Sequence, residues 1–226
     1  ADAIRDRIEE LDISRQEKMC LIASLIFALD KIDNTVGLHQ AYLKKWSSKR
    51  VDNDLKLSLL PCVKGLAGVH IVGDALKIDY PNASVAYLDP PYTAADYSTY
   101  YHIWDSITRW DKPEVSLKTN RRVDRVKSSD KRDRNMKSPW YSKKTALAAT
   151  KKLVDRLPVK YCVFSYSDEG LIPYDDMINL CKQYKSYKIH TKEHDRHVMS
   201  RIGAGGKDAE NATKKKNVEY VIVIEK

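Results

Sequence analysis

Four consecutive residues, Asp89-Pro90-Pro91-Tyr92, bring together groups that could hold a planar amine. They follow the apolar run Val85-Ala86-Tyr87-Leu88, and two prolines cannot continue a strand ladder, so the chain must leave its sheet there. Open α/β sheets bind their ligands at the carboxyl ends of strands. The Asp89 carboxylate and the rigid Pro90 carbonyl are adjacent acceptors, which suits an exocyclic amino group with two hydrogens. The Tyr92 ring offers a flat face on which a base could stack.

An Asp-Pro-Pro-Tyr tetrapeptide after a strand resembles the catalytic motif of DNA methyltransferases that modify N6 of adenine or N4 of cytosine. For the tetrapeptide alone, a structural turn with two prolines is the alternative. The surrounding sequence resembles the adenine-specific class, which includes the DNA adenine methylases and members of restriction-modification systems. The segments that carry this resemblance lie at 4–44, 87–92, 97, 100–102, 111–114, 164–171, 197–199, 211–213 and 219–224. They extend over nearly the whole chain.

The resemblance implies a role for each residue of the motif. Asp89 and the carbonyl of Pro90, held rigid by Pro91, would bind the target amine, and Tyr92 would stack on a base rotated out of the duplex. The methyl donor would be S-adenosylmethionine, which needs no metal, so catalysis would be mainly positioning. Asp74 lies 15 residues before Asp89 and matches the family position whose acid bonds the adenine amino group of the cofactor. A helix cap is the alternative role for Asp74.

One part of the family pattern does not occur in this sequence. The resemblance implies a Phe-x-Gly-x-Gly loop after the first strand and an acid on the next strand, both upstream of Asp89. The glycines before Asp89 stand singly or three apart, and the run 202–206 fits a connection between the last two strands better than a cofactor loop. We therefore expect the C-terminal portion of a longer methyltransferase, without its first two strands and much of the methionine pocket.

The elements that must position these residues change in character along the chain. Apolar residues at helical spacing predict two early helices, the second capped by Ser14, then a break at 33–35 and a short third helix ending near Trp46. From Val69 onward, strands are predicted at 69–72, 85–88, 159–165, 187–190 and 218–224, and helices at 98–110, 142–157 and 174–184. This alternation predicts an α/β sheet covered on both faces. The resemblance makes it the Rossmann-like sheet of S-adenosylmethionine-dependent methyltransferases, incomplete at its N-terminus.

The positive charge is concentrated in one segment. The chain has 226 residues and a net charge of +9, while 112–152 alone carries 14 basic and four acidic residues. Composition alone favours a solvated loop there, but the position after the catalytic motif favours contact with DNA phosphates. The residues predicted to make these contacts are Lys118, Arg121, Arg122, Arg125 and Lys127.

The sequence predicts a division of the chain into two parts. The first is a helical region at 1–66 that takes part in target recognition. The second is a catalytic domain at 67–226, which contains the basic, DNA-facing insertion 112–152.

Composition also argues against several other classes. No run of about 18 apolar residues and no signal peptide is present, which predicts a cytoplasmic protein with no membrane partner. The four cysteines form no Cys-x-x-Cys pair, so neither a disulfide framework nor a zinc knuckle is predicted. His190, His194 and His197 are spaced by four and three residues, but His190 ends a predicted strand, and we predict no metal site.

The leading functional prediction is methyl transfer from S-adenosylmethionine to N6 of adenine in double-stranded DNA, within a restriction-modification system. The main alternative is a non-catalytic DNA-binding fragment, or one half of a split enzyme whose cofactor site is completed by an upstream polypeptide or subunit. Methylation of cytosine N4 or of RNA is the third interpretation. The recognition sequence depends on a few side chains whose geometry the sequence does not reveal.

Overall fold

The computed structural model describes residues 1–35, 39, 46, 49–61, 63–65, 68–94, 96–120, 122–126, 137–195 and 216–226. The chain divides into two units, and each unit is built from two separate stretches. Unit 1 comprises Ala1–Gly68 and Tyr97–Met136, and unit 2 comprises Val69–Asp96 and Lys137–Lys226. The predicted division at residue 66 placed 97–136 in the catalytic domain, whereas the structure groups this stretch with the helical unit. The basic segment 112–152 is accordingly shared between the two units.

Unit 1 is helical. Its helices are α1 (Asp2–Glu10), α2 (Arg15–Asp30), α3 (Tyr97–Tyr100) and α4 (His102–Arg109), with a 3₁₀ turn at Lys49–Asp52. Ser14 caps α2 in a reciprocal pair with Glu17, as predicted: the Ser14 N–H donates to Glu17 Oε2 at 2.8 Å, and the Glu17 N–H donates to Ser14 Oγ at 3.3 Å. The third helix predicted to end near Trp46 falls largely outside the described residues.

Buried Arg5 joins α1 to the C-terminal end of α4. Its Nε donates to the Ile107 carbonyl at 2.7 Å and its Nη2 to the Thr108 carbonyl at 3.3 Å. Carbonyls at a helix C-terminus lack intrahelical partners and carry partial negative charge, so a cation there is favourable. One residue beyond α4, the Trp110 indole donates to Asp6 at 2.7 Å. These contacts explain why 97–110 belongs to unit 1 although it follows the predicted catalytic motif.

Unit 2 is built on a four-stranded mixed sheet in the order β1-β2-β4-β3. The strands are β1 (Val85–Leu88), β2 (Tyr161–Ser167), β3 (Ser186–Asp195) and β4 (Lys216–Glu225), and the helices are α5 (Ala146–Arg156) and α6 (Tyr174–Cys181). β1 and β2 are parallel, while β4 is antiparallel to both β2 and β3. The fold therefore has the mixed α/β content that the sequence predicts.

The strand predicted at 69–72 is wrong. These residues are described but form no strand, and Val69 and Val72 are 79% and 85% exposed. A strand needs a neighbour for its backbone hydrogen bonds, and no strand of the described part pairs with this segment. The apolar, β-branched composition of this run favours a strand, but it does not show whether a neighbouring strand is present.

One face of the sheet carries the core of unit 2. Alternate side chains of β2 and β4 point to it and pack with α5 and α6; they are Cys162, Phe164, Tyr166, Tyr220, Ile222 and Ile224. The opposite side chains of β1, Val85 and Tyr87, are 50% and 64% exposed. The prediction of a sheet covered on both faces is therefore not met in the described part. No helix within the described ranges is long and apolar enough to cross a membrane.

Candidate active site

The 89–92 loop begins where β1 ends. Because β1 and β2 are parallel, with Leu88 paired to Phe164, their carboxyl ends lie at the same edge of the sheet. The loop that follows β2 is therefore a neighbour of the 89–92 loop. A backbone hydrogen bond joins the two, from the Leu171 N–H to the Tyr92 carbonyl at 2.8 Å. Two segments far apart in the sequence thus form one site.

Tyr92 is fixed within this site at its hydroxyl and its ring as well as at its backbone. The hydroxyl donates to Asp89 Oδ1 at 2.8 Å, and the ring meets Tyr166 edge to face at a centroid distance of 5.3 Å. Burial raises the pKa of Tyr92 to about 12, and the Asp89 acceptor adds to that rise. The phenol therefore stays protonated near neutral pH and keeps donating to Asp89. The ring and the carboxylate are positioned as a pair.

Tyr166, near the end of β2, and Gly170, in the loop that follows, support this pair. Tyr166 is fully buried, and its hydroxyl accepts from the Ile172 N–H at 3.1 Å. A methyl group on Gly170 would lie 2.1 Å from Cε1 and 2.5 Å from Cζ of Tyr166, so the chain needs glycine for this close approach. Neither residue is among the predicted site residues. The sequence feature that could have identified them is their position at the end of a predicted strand. The structure shows that this strand is parallel to β1.

Asp74 lies in a turn before β1. Its Oδ1 accepts from the Leu76 N–H at 2.9 Å, and its Oδ2 lies 3.2 Å from Lys77 Nζ. The backbone hydrogen bond is the main reason that the pKa of Asp74 lies below its usual value. These contacts are those of a capping residue in a turn. A carboxylate has further lone pairs, so binding of an amino group by Asp74 stays a prediction.

Arg122 and Arg125 are buried inside unit 1, at 4% and 1% exposure. Arg122 donates to both oxygens of Asp111 at 2.8 and 2.7 Å, and its Nε donates to Asp124 at 3.1 Å. Arg125 donates to Asp105 at 3.1 Å. The prediction that these two arginines contact DNA phosphates is therefore corrected, because their guanidinium groups are enclosed and paired with carboxylates of the same unit. Net charge along a sequence does not show which cations are paired internally.

The other predicted phosphate contacts have different positions. Lys118 is exposed, whereas Arg121 and Lys127 lie outside the described residues. His190 and His194 lie on β3, and His197 is outside the described part of the chain. No cluster of His, Cys, Asp or Glu suited to a metal ion occurs among the residues that the structure describes.

Comparison with protein families now gives this geometry a context. Residues 1–198 match the family described as D12 class N6 adenine-specific DNA methyltransferase. The chain belongs to this family. The match includes the 89–92 loop, β2 and the loop that follows β2, so every residue of the site described above lies within it.

Relatives of this D12-class chain are modification enzymes. Modification methylase LlaI of Lactococcus lactis subsp. lactis is 29% identical over 202 residues, covering 81% of this chain and 29% of that protein. Modification methylase StsI of Streptococcus sanguinis is 30% identical over 190 residues, covering 81% of this chain and 27% of that protein. Type II methyltransferase M.NlaIII of Neisseria lactamica is 26% identical over 235 residues, covering 100% of this chain and 64% of that protein. The chain spans less than a third of the first two relatives. No solved structure matches it.

The site of this D12-class chain offers a defined set of groups to a ligand. The 89–92 loop contains an exposed carboxylate on Asp89, the carbonyl of Pro90 and the half-buried aromatic ring of Tyr92. The first two only accept hydrogen bonds, and the ring is apolar on its faces. Such a set is chemically complementary to a planar ligand that donates hydrogen bonds, as an aromatic amine does.

Proposed function

We propose that this chain is the methyl-acceptor part of a site-specific DNA methyltransferase that acts on N6 of adenine in double-stranded DNA, within a restriction-modification system. The observation that carries the proposal is the pairing of Asp89 and Tyr92 at the carboxyl end of β1, in a chain of the D12 class. The relatives support it, because their names describe modification methylases.

Asp89 and Pro90 would activate the amine by accepting its two hydrogens. The lone pair of N6 is delocalised into the adenine ring, and acceptors on both hydrogens favour its localisation on nitrogen. As the new carbon–nitrogen bond forms, positive charge builds on N6, and the Asp89 carboxylate stabilises that charge. The surplus proton leaves N6 along the hydrogen bond to Asp89. S-adenosylmethionine, when bound, supplies a methyl group already activated by its sulfonium.

Tyr92 would hold the base itself. N6 of a paired adenine is engaged inside the duplex, so the base must rotate out of the stack before it reaches Asp89. The ring of Tyr92, held by Tyr166 and Asp89, then replaces part of the lost stacking. Lys118, together with Arg121 and Lys127, would contact phosphates and supply binding that does not depend on base sequence.

Asp74 would hold one end of S-adenosylmethionine. Asp74 has an exposed carboxylate, which suits the adenine amino group of the cofactor. Val85 and Tyr87 of β1 are exposed, although parallel strands are normally covered on both faces. We therefore propose that a further segment of the protein, or a separate polypeptide, packs beside β1 and completes the cofactor site.

The decisive experiment measures transfer of a labelled methyl group to DNA, followed by mass analysis of the product nucleosides. With the polypeptide encoded upstream added to complete the cofactor site, we expect N6-methyladenine from the wild-type chain and a loss of at least about 10²-fold in transfer by Asp89→Ala, with DNA affinity retained. Asp79→Ala removes an exposed aspartate of the same unit and serves as the control. A 4-methylcytosine product would overturn the adenine assignment, and near-normal turnover by Asp89→Ala would overturn the role of the loop.

Calorimetric titration with S-adenosylmethionine distinguishes a self-sufficient chain from a fragment or half-enzyme. The chain is titrated alone and again after addition of the polypeptide encoded upstream. Binding only in the second titration would support a cofactor site shared with that polypeptide. Binding by the chain alone, with full transfer activity, would contradict the proposed completion beside β1.

A further inference from the structure

A hairpin in unit 1 carries a leucine that takes no part in the chemistry proposed above. The hairpin spans 114–123, with Arg121 outside the described residues. Val115 and Arg122 form an antiparallel bridge, and the Val123 N–H donates to the Glu114 carbonyl at 2.9 Å. At the tip, Leu117 is 99% exposed and is the most exposed of the large hydrophobic side chains that the structure describes.

Ion pairs of two buried arginines hold the base of this hairpin. Arg122 donates to Asp111 through two nitrogens and also reaches Ser106 Oγ on α4 at 3.3 Å. Just beyond the hairpin, Arg125 donates to Asp105, also on α4, at 3.1 Å. The paired guanidinium groups are rigid forks that fix the C-terminal arm against α4. The hairpin is therefore anchored at its base and solvated at its tip.

The tip itself is tightly turned and combines an apolar side chain with polar ones. The Asn120 N–H donates to the Ser116 carbonyl at 2.8 Å, and Asn120 adopts a left-handed backbone with φ of 52°. Lys118, Thr119 and Asn120, next to Leu117, are all exposed. They offer a cation, a hydroxyl and an amide, which are groups that contact phosphates and base edges.

We propose that Leu117 is an apolar wedge that enters the base stack of the bound duplex, while Lys118 contacts a nearby phosphate. This inference rests on the proposed function. Proteins that unstack DNA insert leucine or other apolar side chains between base steps, flanked by polar contacts. Duplex DNA is favoured as the occupant because exposed Lys118, next to Leu117, complements a phosphate, and because basic residues still exceed acidic ones in 112–152 when the internally paired Arg122 and Arg125 are left out. A wedge lowers the cost of extruding the target adenine, and so Leu117 acts as a positioning residue.

The first test compares Leu117→Ala with Val69→Ala, which shortens an exposed apolar side chain of unit 2, outside the predicted target-recognition region. The duplex carries the site at which wild-type protein methylates DNA, with the target adenine either paired or opposite an abasic position. We expect Leu117→Ala to lower transfer about tenfold on the paired duplex and to recover on the abasic one, where extrusion is easier. Val69→Ala should match the wild type on both. An equal loss on both duplexes, or no loss, would overturn the wedge.

The second test does not depend on methyl transfer. Leu117→Trp places an indole at the tip, and its fluorescence, relative to the parent chain, should be quenched when duplex DNA binds, because the indole would stack on bases. Val69→Trp is the control and should not be quenched. If DNA binds but neither tryptophan responds, the wedge is overturned while the proposed function stands. If the wild-type chain binds no DNA at all, the proposed function fails as well.

Discussion

The Gly170→Ala substitution tests whether the loop after β2 positions Asp89 and Tyr92, the pair proposed to be catalytic. The added methyl would lie 2.1 Å from Cε1 of Tyr166 and 2.9 Å from the backbone carbonyl of Ser167. Tyr166 is fully buried and its hydroxyl is bonded to the Ile172 N–H, so the ring has no free space into which it could swing. Either the ring or the backbone of the loop must shift.

The size of the effect follows from this packing. Inserting a methyl group into a well-packed core costs about 1–3 kcal/mol, and a contact that includes backbone belongs in the upper half of that range. We therefore expect the free energy of unfolding to fall by about 2–3 kcal/mol. Tyr92 rests on Tyr166 at 5.3 Å, so the displacement carries over to the pair of Tyr92 and Asp89. A shift of 1 Å in a catalytic group can cost about 10²-fold in rate, and we expect transfer to fall by about 10- to 100-fold.

Urea unfolding followed by circular dichroism, together with the methyl-transfer assay, measures both effects. Gly65→Ala is the matched control, because no atom lies within 4 Å of the added methyl there, and its stability should stay within about 0.5 kcal/mol of the wild type. The double variant Gly170→Ala, Tyr166→Leu removes the clashing ring atoms, so its two stability losses should not add. If Gly170→Ala is as stable as Gly65→Ala and transfers methyl groups normally, the contact with Tyr166 does not position the site.

Two further predictions concern the ion pairs of buried Arg122 in unit 1. Arg122→Met should lower the free energy of unfolding by about 2–3 kcal/mol. This value is near the lower limit of the cost of breaking a buried ion pair, because the partners Asp111 and Asp124 are partly exposed and become hydrated. Arg122→Lys should restore less than half of the loss, since lysine cannot bind Asp111 through two nitrogens; full restoration in urea unfolding would contradict this. Arg122 also holds the pKa of Asp111 below its ordinary value of 3.8, so the pair stabilises the fold above that value and is lost as the pH falls through the lowered pKa. The difference in melting temperature between wild type and Asp111→Asn should therefore shrink between about pH 6 and pH 3, and a constant or growing difference would refute the assignment.

Features set by neighbouring residues are predictable from the sequence. The start of α2 depends on Ser14 and Glu17, three residues apart, and the end of β1 depends on two adjacent prolines. The match between 89–92 and a known motif is local as well. In each case the residues that decide the structure lie within one turn of helix or one short loop.

Features set by distant partners are not predictable in this way. The run 69–72 has strand composition but no strand to pair with in the described part, and the basic run hides the fact that Arg122 and Arg125 are paired with carboxylates. The contact between Gly170 and Tyr166 matters for the site only because β2 lies beside β1. Pairing of strands and burial of charge are properties of the folded chain, and one sequence alone does not display them.

The interleaved order of the two units has a consequence for how this protein can be taken apart or recombined. Unit 1 is encoded by 1–68 and 97–136, with the first part of unit 2 between them. A single truncation or a single genetic crossover therefore cannot deliver either unit intact. An exchange of the whole helical unit between relatives needs junctions near residues 68, 96 and 136, whereas a swap confined to 97–136 transplants α4 and the hairpin without their partners on α1. Chimaeras with all three junctions should fold more often than chimaeras with one.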